Sequence, residues 1–76
     1  MLDRAISSYR RALRAEPKLA EAHNDLGTAY YAKAWYQEAE QCYRQALELQ
    51  PENVAATENL AATLRAQGKL REARTA

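Results

Sequence analysis

Slid along itself until Pro17 meets Pro51, this chain matches its own pattern, and that period constrains its fold more than any other feature. At the same offset Leu2, Tyr36 and Leu70 superpose, as do Ala5, Ala39 and Ala73. Tyr9 meets Tyr43, Arg10 meets Arg44, and Ala12-Leu13 meets Ala46-Leu47. Ala22 meets Ala56, Leu26 meets Leu60, Gly27 meets Ala61 and Tyr30 meets Leu64. Because bulky and small apolar positions mostly stay in register, each period is one unit that buries its apolar face against its neighbours.

Inside a period the apolar spacing is helical. Ala22, Leu26, Ala29, Tyr30 and Lys33 step by threes and fours, and so do Tyr36, Ala39, Tyr43, Ala46 and Leu47. Glu16 and Gln50 precede the prolines, which disfavours helical geometry there. The pattern predicts helices over about 3–15, 19–33, 36–49, 53–67 and 69–75. Gly27, Ala61, Ala39 and Ala46 are gaps into which bulk from a neighbouring helix fits.

The stretch YYAKAWYQEAE, residues 30–40, contains neither glycine nor proline, yet its copy LRAQGKLREAR puts Gly68 in the place of Ala34. A turn is therefore expected at Lys33, Ala34 and Trp35. A left-handed alanine costs about 1–2 kcal/mol. Folding back buries Leu26, Tyr30, Tyr36, Tyr43 and Leu47, each worth roughly 1.5–3 kcal/mol, so the turn wins within one chain. The same three residues are the candidate hinge. Straightened in a swapped dimer, they would lose the strain while a partner restored the contacts, against an association cost of roughly 4 kcal/mol or more.

His23-x2-Leu26-Gly27-x2-Tyr30, then Ala39-x3-Tyr43, then Pro51 resembles the tetratricopeptide repeat, whose pattern is W-x2-L-G-x2-Y, A-x3-F and P over a 34-residue unit. Histidine stands for tryptophan and tyrosine for phenylalanine. Thr57-x2-Leu60-Ala61-x2-Leu64 with Ala73 is a looser copy. The resemblance implies an all-α fold of antiparallel helix-turn-helix repeats stacked as an α-solenoid. Within a single domain spanning 1–76, residues 1–19 would be the second helix of a partial repeat, 20–53 a complete repeat, and 54–76 a further partial repeat. It also implies a non-enzymatic scaffold for protein–protein interaction, docking a peptide or helix in a concave groove.

The residues offer little chemistry that competes with this. His23 is the only histidine and stands where the family places a packing aromatic, and no second ligand completes a metal set around it. Cys42, the single cysteine, precludes an internal disulfide and reads as a small packing residue. Glu38 and Glu40 point in different directions on one helix. Neither an enzyme nor a cofactor is expected. The net charge is +1, with +3 over residues 1–18 (five bases, two acids), −5 over 19–64 (two bases, seven acids) and +3 over 65–76 (four bases, one acid). Arg10, Arg11 and Arg14 cluster, but the acidic middle argues against a nucleic-acid path. No apolar run reaches the roughly 18 residues that a membrane span needs, and no basic-then-apolar leader opens the chain, so a cytoplasmic location is expected.

The resemblance places the groove on the first helix of each repeat. Outside the core stripe of residues 19–33 lie Glu21, Asn24, Thr28 and Tyr31, flanked by Asp25; one period on lie Ala55, Glu58, Ala62 and Arg65, flanked by Asn59. Tyr31 is either an exposed anchor or packs against the next repeat's helix. Glu21, Thr28, Glu58 and Ala62 bring no cation, which disfavours clamping a partner's C-terminal carboxylate and favours a basic or mixed-charge ligand. The alternative function is structural self-association of a larger repeat protein. It would act through Leu2, Ile6, Tyr9 and Leu13 of the first helix, although the two basic ends oppose close homotypic contact.

Overall fold

The structure is a computed structural model that describes the backbone of residues 2–75 and the side chains of residues 3–69. The described residues form four helices, α1 (Leu2–Ala15), α2 (Ala20–Ala32), α3 (Tyr36–Leu49) and α4 (Val54–Thr75). α2 packs against each of the other three, and α3 also packs against α4. The Cα extents are 44 × 29 × 14 Å. The 14 Å dimension matches two helical layers about 9–10 Å apart, each with a Cα radius of about 2.3 Å. This is an all-α helical-repeat architecture.

The core takes in Leu26 and Ala29 of the periodic stripe together with Ile6, whose copy is Glu40. Ile6, Leu26, Ala29 and Cys42 are buried together, with Tyr9, Leu13 and Tyr30 packed around them. Ala39, Tyr43 and Ala46 are sealed at 0–2% exposure on the inner face of α3. Gly27 explains how closely α2 and α3 approach. A Cβ added there would lie 2.6 Å from Tyr43 Cε1, so the tyrosine ring rests on bare backbone. The small residue is the socket for the aromatic of the following helix.

The α2–α3 connection is a helix ending in which Ala34 takes a left-handed φ of 63°. The Trp35 N–H donates to the Tyr30 carbonyl at 2.9 Å and the Ala34 N–H to that of Tyr31 at 2.9 Å. That pair of bonds defines a Schellman motif, in which glycine usually takes the left-handed place. The apolar contact that accompanies the motif is present too, as Tyr30 and Trp35 stack with centroids 5.7 Å apart. Lys33 lies 4.7 Å from the Trp35 ring centroid and forms an ion pair with Asp3 of α1.

At the copy of this turn the structure departs from expectation. The helices expected at 53–67 and 69–75 are one continuous helix, and Gly68 sits inside it. A glycine in mid-helix costs only about 1 kcal/mol relative to alanine and does not compel a turn. What makes the chain fold back after α2 is the burial of α3. The start of α4 is well specified, because Asn53 Oδ1 accepts from the Ala56 N–H at 3.0 Å as an N-cap.

Two side-chain ties start from aligned positions, although their partners are not copies of each other. Lys33 reaches back to Asp3 on α1, and its copy Gln67 donates to Glu40 Oε1 on α3 at 2.7 Å. The first fastens the end of α2 to α1, and the second fastens the interior of α4 to α3.

Candidate interaction surface

The residues assigned to the groove lie on α2 and α4, which are neighbours. Glu21, Asp25, Thr28 and Tyr31 of α2 are exposed, as are Ala55, Glu58 and Arg65 of α4. Asn24, Asn59 and Ala62 are half-buried. The two asparagines meet between the helices, where Asn59 Nδ2 donates to Asn24 Oδ1 at 3.1 Å.

That bond belongs to a longer series of contacts. The Tyr43 hydroxyl donates to Thr28 Oγ1 at 3.3 Å, and Thr28 Oγ1 donates to the Asn24 carbonyl at 3.0 Å. Beyond the amide pair, Thr63 Oγ1 donates to the Asn59 carbonyl at 2.8 Å from a fully buried position. The buried ring of α3 is thus linked through α2 to α4. Sequence reasoning missed this series. Asn24 and Asn59 lie one step off the period, so aligning the repeats sets Asn24 against Glu58. The available signal was two amides on adjacent helices with almost the same phase.

Tyr31 packs within its own repeat and stays partly open. Its ring packs edge-on against Tyr36 at 5.2 Å while 37% of it remains exposed. Trp35 is exposed at 45% beside it. The residues assigned to self-association fare differently. Ile6 is buried in the core, so its own chain covers it and it cannot join a free face. Tyr9 and Leu13 are half-buried against the same cluster, and the Leu2 side chain lies outside the described residues.

The remaining candidate groups are structural. His23 Nε2–H donates to the Pro17 carbonyl at 2.9 Å, joining α2 to the turn before it. Burial, with Glu38 nearby, pushes the Cys42 thiol up to about 11, so it stays protonated and unreactive near neutrality. Burial also raises the Tyr43 phenol, partly offset by its bond to Thr28. Among the described residues no three His, Cys, Asp or Glu side chains are grouped to hold a metal ion, and no helix is long and apolar enough to cross a membrane.

A slab of antiparallel helices built on one repeated period, with aromatic-over-glycine packing between them, defines a helical-repeat protein. The chain belongs to the tetratricopeptide-repeat family. The family description Tetratricopeptide repeat matches residues 20–53 and again 42–75, and TPR repeat matches 2–33. The chain is similar to human DnaJ homolog subfamily C member 7, with 44% identity over 54 residues, covering 71% of this chain and 11% of that protein. It is also similar to human Protein O-mannosyl-transferase TMTC1, with 36% identity over 74 residues, covering 97% of this chain and 8% of that protein. Small glutamine-rich tetratricopeptide repeat-containing protein 2 of Mycosarcoma maydis is 34% identical over 61 residues, covering 80% of this chain and 17% of that protein. The chain therefore spans less than a fifth of the length of each of these relatives. Tetratricopeptide repeats generally mediate protein–protein interactions.

Proposed function

We propose that this chain is a non-enzymatic interaction scaffold that docks a peptide or helix of basic or mixed charge in a groove between α2 and α4. The observation that carries this reading is the charge of the exposed stripe. Around the half-buried Asn24–Asn59 pair stand the exposed carboxylates Glu21, Asp25 and Glu58, with Arg65 alone supplying a cation. Such a surface attracts ammonium and guanidinium groups and repels a C-terminal carboxylate. Tyr31, half held by Tyr36, supplies apolar contact area at one end. The reading carries a cytoplasmic location with it and needs neither nucleic acid, membrane nor cofactor.

The test is a calorimetric titration of the chain with paired synthetic peptides, one lysine-rich and one glutamate-rich, both amphipathic. The basic peptide binds and the acidic one does not. Glu21→Lys combined with Glu58→Lys reverses the preference. An unchanged affinity for the basic peptide in that double variant overturns the reading. Self-association is the second reading, for which the exposed Leu64 of α4 offers apolar surface.

A further inference from the structure

The arginines that cluster on α1 take no part in the groove. Arg4, Ser7, Arg11 and Arg14 recur at steps of three and four, so they share one face of the helix, and all four are exposed. Among the described residues none of these four side chains has an ion pair or a hydrogen bond, whereas Arg44 is paired with Glu40 and Lys33 with Asp3. Asp3, Arg4, Ser7, Ser8 and Arg11 line an open depression of about 360 Å³. Arg4 and Arg11 lie two turns apart, roughly 10 Å along the axis, with the two serines between them. Asp3, the carboxylate at the rim, is engaged by Lys33.

The openness of this face follows from its register. Its copies Glu38, Gln41, Gln45 and Glu48 on α3 are all exposed, although α3 packs against both α2 and α4. Ser8 is marginal to it, because its copy Cys42 is buried. The geometry points to a phosphoryl-binding site on this face, fitted to a phosphoserine in a partner peptide. A guanidinium fork matches two phosphoryl oxygens, and a dianion with three oxygens engages both arginines and the Ser7 hydroxyl at once. A carboxylate, with two oxygens and one charge, leaves one arginine unused. A nucleic-acid strand or a plane of anionic lipid running on to α3 would meet Glu38 and Glu48 at the copied positions, and the face has no apolar side chain to enter a bilayer. A single phosphoryl group needs α1 alone. The site differs in surface and in sign from the Glu21–Glu58 stripe and does not rest on that reading.

The test is an NMR titration of the 76-residue chain with a short peptide that carries one phosphoserine between neutral residues, read at the Ser7 and Ser8 amides and the arginine Nε–H groups. These resonances move saturably, with a Kd between about 10 μM and 10 mM, and inorganic phosphate moves the same ones more weakly. The unphosphorylated peptide moves none, and its glutamate version binds about tenfold more weakly or less well still. Arg4→Gln and Arg11→Gln each weaken binding by about tenfold, the effect of one charge-assisted hydrogen bond. Lys18→Gln and Lys69→Gln remove the same charge elsewhere and change it by no more than about twofold at 0.15 M salt. The absence of any saturable shift up to about 10 mM overturns the site. So do equal losses in Lys18→Gln and Arg11→Gln, which mean diffuse attraction, and equal binding of the glutamate peptide. Cosedimentation with phosphatidylserine vesicles in place of peptide binding makes the face a membrane surface and overturns it too. If a glutamine variant unfolds, Arg11→Lys decides, since it keeps the charge and loses the fork, and an unchanged Kd there counts against the site. Titrating Arg11→Gln with the basic peptide reads the groove separately, because Glu21, Asp25 and Glu58 are untouched.

Discussion

Around Ala34 the chain turns; around Gly68, its copy one period later, it does not. The residue less suited to a left-handed backbone adopts it at φ 63°, and the residue suited to it stays helical. Local propensity predicts the reverse, by about 1 kcal/mol at each site. Behind Ala34 stands α3, whose Ala39, Tyr43 and Ala46 are buried, the tyrosine on Gly27 of α2. At Gly68 the backbone stays helical through to Thr75. Packing of α3 holds the turn at Ala34 against the cost of a left-handed alanine, and a glycine by itself does not make a turn.

The comparison can be broken most severely by removing what holds the turn. Tyr43→Ala takes the ring from its seat on Gly27 and costs about 3–5 kcal/mol in urea unfolding. Cys42, buried in the native fold, should then be alkylated much faster as α3 loosens. Gly27→Ala attacks the same contact from the other side. Its methyl would meet the ring at 2.6 Å, for a loss of about 1–3 kcal/mol. If that variant is as stable as the parent, close approach through Gly27 is not what positions α3.

The next pair of variants sharpens the comparison through opposite signs at aligned positions. Ala34→Gly relieves the left-handed strain and adds about 1 kcal/mol, a rise in Tm of roughly 4–8 °C for a domain of this size. It should also shift any swapped dimer toward monomer. Gly68→Ala adds about 0.5–1 kcal/mol, since a Cβ there meets nothing within 4 Å and helical alanine is favoured. A loss at Gly68→Ala would mean that α4 bends there in solution.

The smallest effect concerns the ion pair beside the turn. The hydrogen bond and the charge of Lys33 hold the Asp3 carboxyl below its ordinary 3.8. A depressed carboxylate stabilises the fold above the unfolded value and loses that contribution as pH falls through the folded one. Asp3→Asn should therefore leave stability near pH 7 slightly reduced and make the decline below about pH 4 shallower. Acid titration followed by circular dichroism checks this, and an identical acid limb would remove Asp3 from the account.

Much of this was legible in the sequence because repetition allows one segment to be read through another. The turn at Ala34 could be placed only because its copy holds a glycine. The helices around Leu26 and Tyr43 followed from spacing. The straight run of α4 was not legible, since the glycine that revealed one turn suggested another, and a sequence pattern does not weigh the burial on either side of it. The Asn24–Asn59 pair escaped because it lies one position off the period. The burial of Ile6 escaped for a related reason. Its copy is Glu40, so the alignment carried no sign that α1 uses that position to enter the core.

The Asn53 cap bears on the order in which the molecule assembles. α4 has a side chain that fixes its first turn, whereas α2 and α3 begin at Leu19 and Trp35 with no side-chain cap bond. A helix of 22 residues with a secured start can persist briefly alone, while uncapped helices of 13 and 14 residues fall near the limit for isolated helices in water. On caps and lengths alone α4 is expected to form first, with α3 and then α2 condensing on it, an order that pulse-labelled hydrogen exchange would test.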